Sequence, residues 1–187
     1  MILGAVYLKK QNKLANDTLV VTTMSNIGLH VAAKEYGIDL AITDVGDRYV
    51  IEEMKKSGHN LGGEQSGHMI FLDYNTTGDG TLSSLIVSKI VKEDGKTLSE
   101  QSALMTTYPQ VLINVDVRNE VKNKFMENDE IRTEIEKLEK LMAGTGRVLI
   151  RPSGTQPLVR VMLEGKDEGQ IRELAQELAD LIKAKLS

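Results

Sequence analysis

The apolar pattern of this chain changes once, at Thr106-Thr107-Tyr108-Pro109, and that change limits the folds open to it. Before it, short β-rich runs alternate with helical stretches. After it, Val111, Ile113, Val115 and Val117 alternate with polar residues, the mark of a half-buried antiparallel strand. The switch predicts two domains, residues 1–105 and 106–187.

In the first domain, residues 19–24 read as a strand, and Ser25-Asn26 supply N-cap chemistry for a helix over 27–36 stopped by Gly37. Residues 38–42 read as a second strand. Asp47 is expected to cap a helix carrying Tyr49, Val50, Ile51 and Met54 and ending near Gly58. Asp79-Gly80 open another helix, with Leu82, Leu85, Ile86 and Ile90 on one face and Gly95 as its stop, and residues 97–104 read as a short further one. This β-α-β-α order predicts an α/β domain with a mixed, largely parallel sheet. The chain opens inside a helical pattern (Ala5, Val6, Leu8) with no cap or leading strand, which predicts a piece of a longer protein.

The second domain is expected to be α+β, an antiparallel sheet with helices on one face. Ile131, Ile135, Leu138, Leu141 and Met142 form one helical stripe. A last helix, starting at Asp167 with Gln170 as its capping-box partner, buries Ile171, Leu174, Ala175, Leu178, Leu181 and Ile182. Two strand-like runs flank Arg151-Pro152-Ser153-Gly154-Thr155-Gln156-Pro157. A cation, two hydroxyls and a glycine between two prolines suit an anion clamp, and they also suit a plain polar turn.

Composition removes several function classes. The net charge of −4 divides as −3 before Tyr108 and −1 from there on, so neither half presents the basic surface of a nucleic-acid groove. No apolar run approaches the roughly 18 residues that span a bilayer, and the first residues lack the pattern of a signal peptide. The absence of cysteine excludes disulfides and thiolate metal sites and fits a cytoplasmic protein. His30, His59 and His68 are too scattered to suggest a metal centre. Residues 73–84 begin like a calcium loop but end in Ser84, where the bidentate Glu belongs.

Two further loops carry candidate chemistry. In Gly62-Gly63-Glu64-Gln65-Ser66-Gly67-His68, a carboxylate and a hydroxyl suit vicinal sugar hydroxyls, and His68 is able to move a proton near neutral pH. A polar hairpin is the plainer reading. Thr43-Asp44-Val45-Gly46-Asp47-Arg48 lies where a parallel strand meets a helix, a favoured place for ligands; a cap beside a solvated arginine accounts for it equally well.

Taken in order, residues 63–68, 43–49, 76–80 and 151–155 resemble the α-D-phosphohexomutase superfamily, most closely its bacterial branch acting on glucosamine phosphates. The resemblance implies that the chain is the C-terminal half of such an enzyme. Its third domain would supply the sugar loop, and its fourth, a TATA-binding-protein-like α+β domain, would hold phosphate. Glu64 and Ser66 would grip sugar hydroxyls, with Gly46 and Arg48 nearby and His68 beside the reacting oxygen. Arg151, Ser153, Gly154 and Thr155 would hold the phosphate that is not transferred, with Arg160 added by its nearness in sequence.

The implied reaction interconverts glucosamine 6-phosphate and glucosamine 1-phosphate through a phosphoserine and a bisphosphate intermediate, feeding UDP-N-acetylglucosamine and cell-wall synthesis. A mannose- or glucose-phosphate mutase, or a stand-alone phosphosugar-binding module, is the alternative. The family's Thr-x-Ser-His-Asn-Pro and Asp-Gly-Asp-x-Asp-Arg motifs do not occur in these residues. The resemblance therefore implies magnesium bound by ligands outside this chain, none bound by the chain itself, an N-terminal half as partner, and no turnover by the chain alone. Gln156 stands where the family pattern has Glu, which keeps an acceptor and removes a charge near the anion.

Overall fold

The computed structural model describes residues 1–186, which form two compact units that divide between Thr107 and Tyr108. In the first, α1 (Ile2–Lys10), β1 (Thr18–Thr22), α2 (Ile27–Glu35), β2 (Asp39–Thr43), α3 (Asp47–Ser57), β3 (Leu61–Gly63), β4 (Met69–Phe71), α4 (Gly80–Asp94) and α5 (Leu98–Ser102) follow one another. The sheet order is β2-β1-β3-β4; β2 and β3 are parallel to β1, and β4 is antiparallel to β3. The α/β class and the mixed, mostly parallel sheet are thus as the sequence predicts.

The strand β1 is buried along its whole length because both its faces are covered. Leu19 and Val21 pack with Ala5, Leu29, Ala32 and Ile90 of α1, α2 and α4. Val20, between them, turns to the opposite layer with Val50 and Met54 of α3. A parallel strand sandwiched in this way reads as a continuous apolar run. The helix α3 lies directly on β3: a Cβ at Gly62 would sit 2.7 Å from both Met54 Sδ and Val50 Cγ1.

Two details differ from expectation here. The cap of α3 is Gly46, which has no side chain to bond the first helical N–H groups, and Asp47 is the first helical residue. Gly46 turns the chain at φ +137°, a conformation glycine enters without a side-chain clash. Leu85 is 64 % exposed. The buried side of α4 runs at four-residue spacing through Leu82, Ile86 and Ile90, and Leu85 lies off that line.

The second unit contains β5 (Gln110–Asp116), a 3-10 turn (Lys122–Glu127), α6 (Asp129–Met142), β6 (Gly146–Pro152), β7 (Leu158–Gly165) and α7 (Glu168–Leu186). Its sheet is antiparallel throughout, in the order β5-β7-β6. Val111 and Val115 of β5 and Val159, Val161 and Leu163 of β7 join Ile131, Ile135, Leu138, Ile171, Ala175, Leu178 and Ile182 from α6 and α7 in one core. This is the α+β arrangement the alternation predicts. Leu141 again lies beside the buried stripe rather than in it, 54 % exposed. Asn128 caps α6 with bonds from the Glu130 and Ile131 N–H groups, and Asp167 accepts the Gln170 N–H at the start of α7.

One ion pair is buried inside this sheet. Arg147 of β6 and Glu164 of β7 are direct ladder partners, with Nε donating to Oε2 at 2.6 Å and Glu164 fully buried. Among the described residues no helix is long and apolar enough to cross a membrane.

Candidate functional site

In the first unit the candidate residues gather on the turn between β3 and β4. The Glu64 N–H donates to the His68 carbonyl at 2.9 Å, closing the turn, and Gly67 takes φ +105° within it. A Cβ at Gly63 would meet the His68 carbonyl oxygen at 2.4 Å, so the hairpin closes only with glycine there. The Glu64 side chain is 11 % exposed. Its Oε1 accepts the Gly46 N–H at 2.9 Å, which holds the carboxylate beside the start of α3. Oε2 lies 3.4 Å from His68 Nδ1, and His68 itself is mostly exposed.

The structure therefore brings together Gly46, Glu64 and His68, joining the Thr43–Arg48 loop to the sugar-loop candidate. Ser66 is exposed at the tip of the same turn. Arg48 points elsewhere: its Nε donates to Glu52 Oε1 at 2.7 Å on the outer side of α3, and that contact raises the guanidinium pKa. The segment resembling a calcium loop is occupied otherwise. Asp73 accepts from Asn60 Nδ2, while Asp79 caps α4 through the Leu82 N–H and accepts from Asn75 Nδ2.

In the second unit the loop 153–157 joins β6 to β7. Ser153 is 5 % exposed, and its Oγ accepts the Gln156 N–H at 3.2 Å, so this hydroxyl closes the loop from within. The Ser153 N–H donates to the Leu158 carbonyl at 2.9 Å. Gly154 and Thr155 are left exposed at the tip. Nothing lies within 4 Å of a Cβ built at Gly154, and its φ is not left-handed. The fold thus places no demand for glycine at this position, whereas close approach of an anion to the backbone does.

Arg151 and Arg160 face each other across the β6–β7 ladder. They project from the side of the sheet opposite the core residues Val159 and Val161. Burial, and after it the charge of Arg160, push the Arg151 guanidinium below its ordinary pKa. The Nε of Arg160 is buried and has no hydrogen-bond partner. A buried donor left unpaired costs about 1–3 kcal/mol, more on a charged group, and an anion bound between the two guanidiniums would supply what is missing.

One contact had no signal in the sequence. Lys122 Nζ donates to the Gln156 carbonyl at 3.2 Å, reaching the loop from 34 residues away. Among the described residues no three His, Asp or Glu side chains converge as a metal site would require. The described residues therefore offer no ligand set that fits magnesium.

Comparison with known proteins agrees with the fold. The model described as phosphoglucomutase/phosphomannomutase, alpha/beta/alpha domain III, matches residues 1–108, and that described as phosphoglucomutase/phosphomannomutase, C-terminal domain, matches residues 112–181. A relative from Clostridioides difficile is 68% identical over the whole chain, and one from Thermoanaerobacter sp. (strain X514) is 60% identical; both are named phosphoglucosamine mutase. The chain spans 42% of the length of each.

Among solved structures, Aspergillus fumigatus N-acetylphosphoglucosamine mutase shares the fold with a TM-score of 0.80 at 20% identity, covering 98% of this chain and 42% of that one. A second structure of that enzyme, in complex with GlcNAc-6P and magnesium, gives a TM-score of 0.80 at 19% identity, covering 100% of this chain and 43% of that one. Two unit folds, each matched by the corresponding domain model, place the chain: it belongs to the phosphoglucomutase/phosphomannomutase family.

Proposed function

We propose that this chain is the sugar- and phosphate-holding part of a phosphoglucosamine mutase, which interconverts glucosamine 6-phosphate and glucosamine 1-phosphate. The observation that carries the phosphate half is the Arg151–Arg160 pair with its unpartnered Nε, on the two strands that flank Gly154 and Thr155. The relatives at 68% and 60% identity support the choice of amino sugar, as does the GlcNAc-6P bound by the A. fumigatus enzyme.

In this reading the Glu64 carboxylate, fixed by the Gly46 N–H, accepts bonds from sugar hydroxyls, and Ser66 adds a hydroxyl that donates and accepts. His68, in contact with Glu64, is placed to move the proton of the reacting oxygen. Arg151, Arg160 and the Gly154 and Thr155 amides hold the phosphate that stays. The phosphoserine motif and the aspartate-rich motif are absent from these residues, so the transfer step belongs to a further polypeptide region. Magnesium bound there would neutralise charge on the moving phosphoryl group.

The test is to assay the chain alone and joined to the N-terminal region of the C. difficile relative, with glucosamine and mannose phosphates. Turnover of glucosamine phosphate by the joined form alone is the expected result. Turnover by the isolated chain contradicts the division of labour, and a mannose preference moves the assignment to a phosphomannomutase.

A further inference from the structure

The phosphate loop is held by a residue with no assigned part in it. We propose that Lys122 is the third cation of the phosphate site, a positioning residue acting through the Gln156 carbonyl; the inference rests on assigning that loop to phosphate. Lys122 opens the 3-10 turn Lys122–Glu127 and directs its ammonium onto Gln156 O at 3.2 Å. The same carbonyl accepts the Leu158 N–H at 2.9 Å. On its other side the Gln156 N–H is bound by Ser153 Oγ. The Gln156 peptide is therefore held at both ends, and the loop is closed across its base.

The consequence falls on the tip. With the base closed, the Gly154 and Thr155 N–H groups carry no hydrogen bond among the described residues, and both residues are exposed. The two tip amides, and the Arg151–Arg160 pair on the flanking strands, are thereby carried by one closed hairpin. Preorganised donors of this kind bind an anion without first having to be ordered.

The plainer account is a surface lysine resting on a convenient carbonyl. Lysine, however, gives up more side-chain entropy on being held than most residues, and one bond to a neutral carbonyl in solvent does little more than offset it. Lys122 forms no ion pair with a carboxylate among the described residues, although Glu120 and Glu127 are close in sequence. An ammonium has three protons, and the carbonyl uses one. A phosphate monoester carries nearly two negative charges at neutral pH, so it draws on a third cation as well as on the two guanidiniums.

Calorimetric titration of the chain with inorganic phosphate and with glucosamine 6-phosphate tests this, using Lys122→Met, Lys122→Gln and Lys122→Arg. Met and Gln are each expected to weaken both ligands roughly tenfold, the scale of one charge-assisted contact, while Arg stays close to the parent chain. The ligand-free melting temperature should remain near that of the parent, and Lys122→Gln serves if Lys122→Met does not fold. Equal affinity of the parent chain and the neutral variants overturns the inference and leaves the phosphate assignment standing. Equal weakening by Arg and by the neutral variants overturns the role of charge. A parent chain that binds neither ligand overturns the phosphate assignment, and the inference with it.

Discussion

Arg151 and Arg160 are direct cross-strand partners, and the Nε of Arg160 is buried without a hydrogen-bond partner. Like charges directly opposite on a sheet destabilise it. Replacing Arg160 with Met should therefore leave the ligand-free chain at least as stable as the parent, while phosphate affinity falls by tenfold or more, about 1.4 kcal/mol. Melting curves and calorimetry on the same two proteins check the opposed signs.

A change at Glu64 should separate the two loops functionally. Glu64→Gln keeps an acceptor for the Gly46 N–H but removes a charge from the start of α3. A loss of about 0.3–1 kcal/mol in urea unfolding is expected from the helix-terminus effect. Affinity for glucosamine 6-phosphate should fall, and affinity for inorganic phosphate should stay unchanged. Titrating one variant with both ligands reads the difference.

Acid should loosen the first unit through Asp79. Its carboxyl is held below the ordinary value, first by the Leu82 N–H and further by Asn75, against a smaller opposing effect of burial. A folded-state pKa below the unfolded one adds stability that is complete above the unfolded value. That stability is lost as pH falls through the folded value. The part of the acid sensitivity due to Asp79 thus lies below about pH 4. Asp79→Asn should flatten the dependence of the urea midpoint on pH in that range, with little change in slope at pH 6–8.

The Arg147–Glu164 pair should be costly to break and cheap to replace. Removing one partner of a buried pair costs about 3–5 kcal/mol, whereas exchanging both for apolar residues of similar size is often tolerated. Glu164→Gln is expected in the first class, and Arg147→Met combined with Glu164→Leu in the second. A double-mutant cycle in denaturant measures the difference.

Local chemistry explains why much of the fold could be read in advance. The alternation of Val111, Val115 and Val117 and the stripe of Ile131, Ile135 and Leu138 each reflect one repeat of one element, and their burial follows. Leu85 and Leu141 fell on the wrong side because a stripe read from sequence is wider than the contact a helix makes. Asp47 reads as the cap because side-chain chemistry is visible in sequence, whereas the positive φ that makes Gly46 the cap is not. The residues Glu64, His68, Arg151 and Ser153 stood out through loop composition and collinear motifs. The contacts of Gly46 with Glu64, of Arg151 with Arg160 and of Lys122 with Gln156 depend on register and on chain separation, which no local pattern carries.

The unpartnered Nε of Arg160 would make the chain its own sensor. A ligand that binds the folded state alone raises the melting temperature in proportion to the logarithm of its concentration over its dissociation constant. Sugar phosphates, nucleotides and plain anions could then be ranked by thermal shift on the isolated chain. No turnover and no coupling enzyme would be needed, and Arg160→Met would serve as the control with a reduced shift.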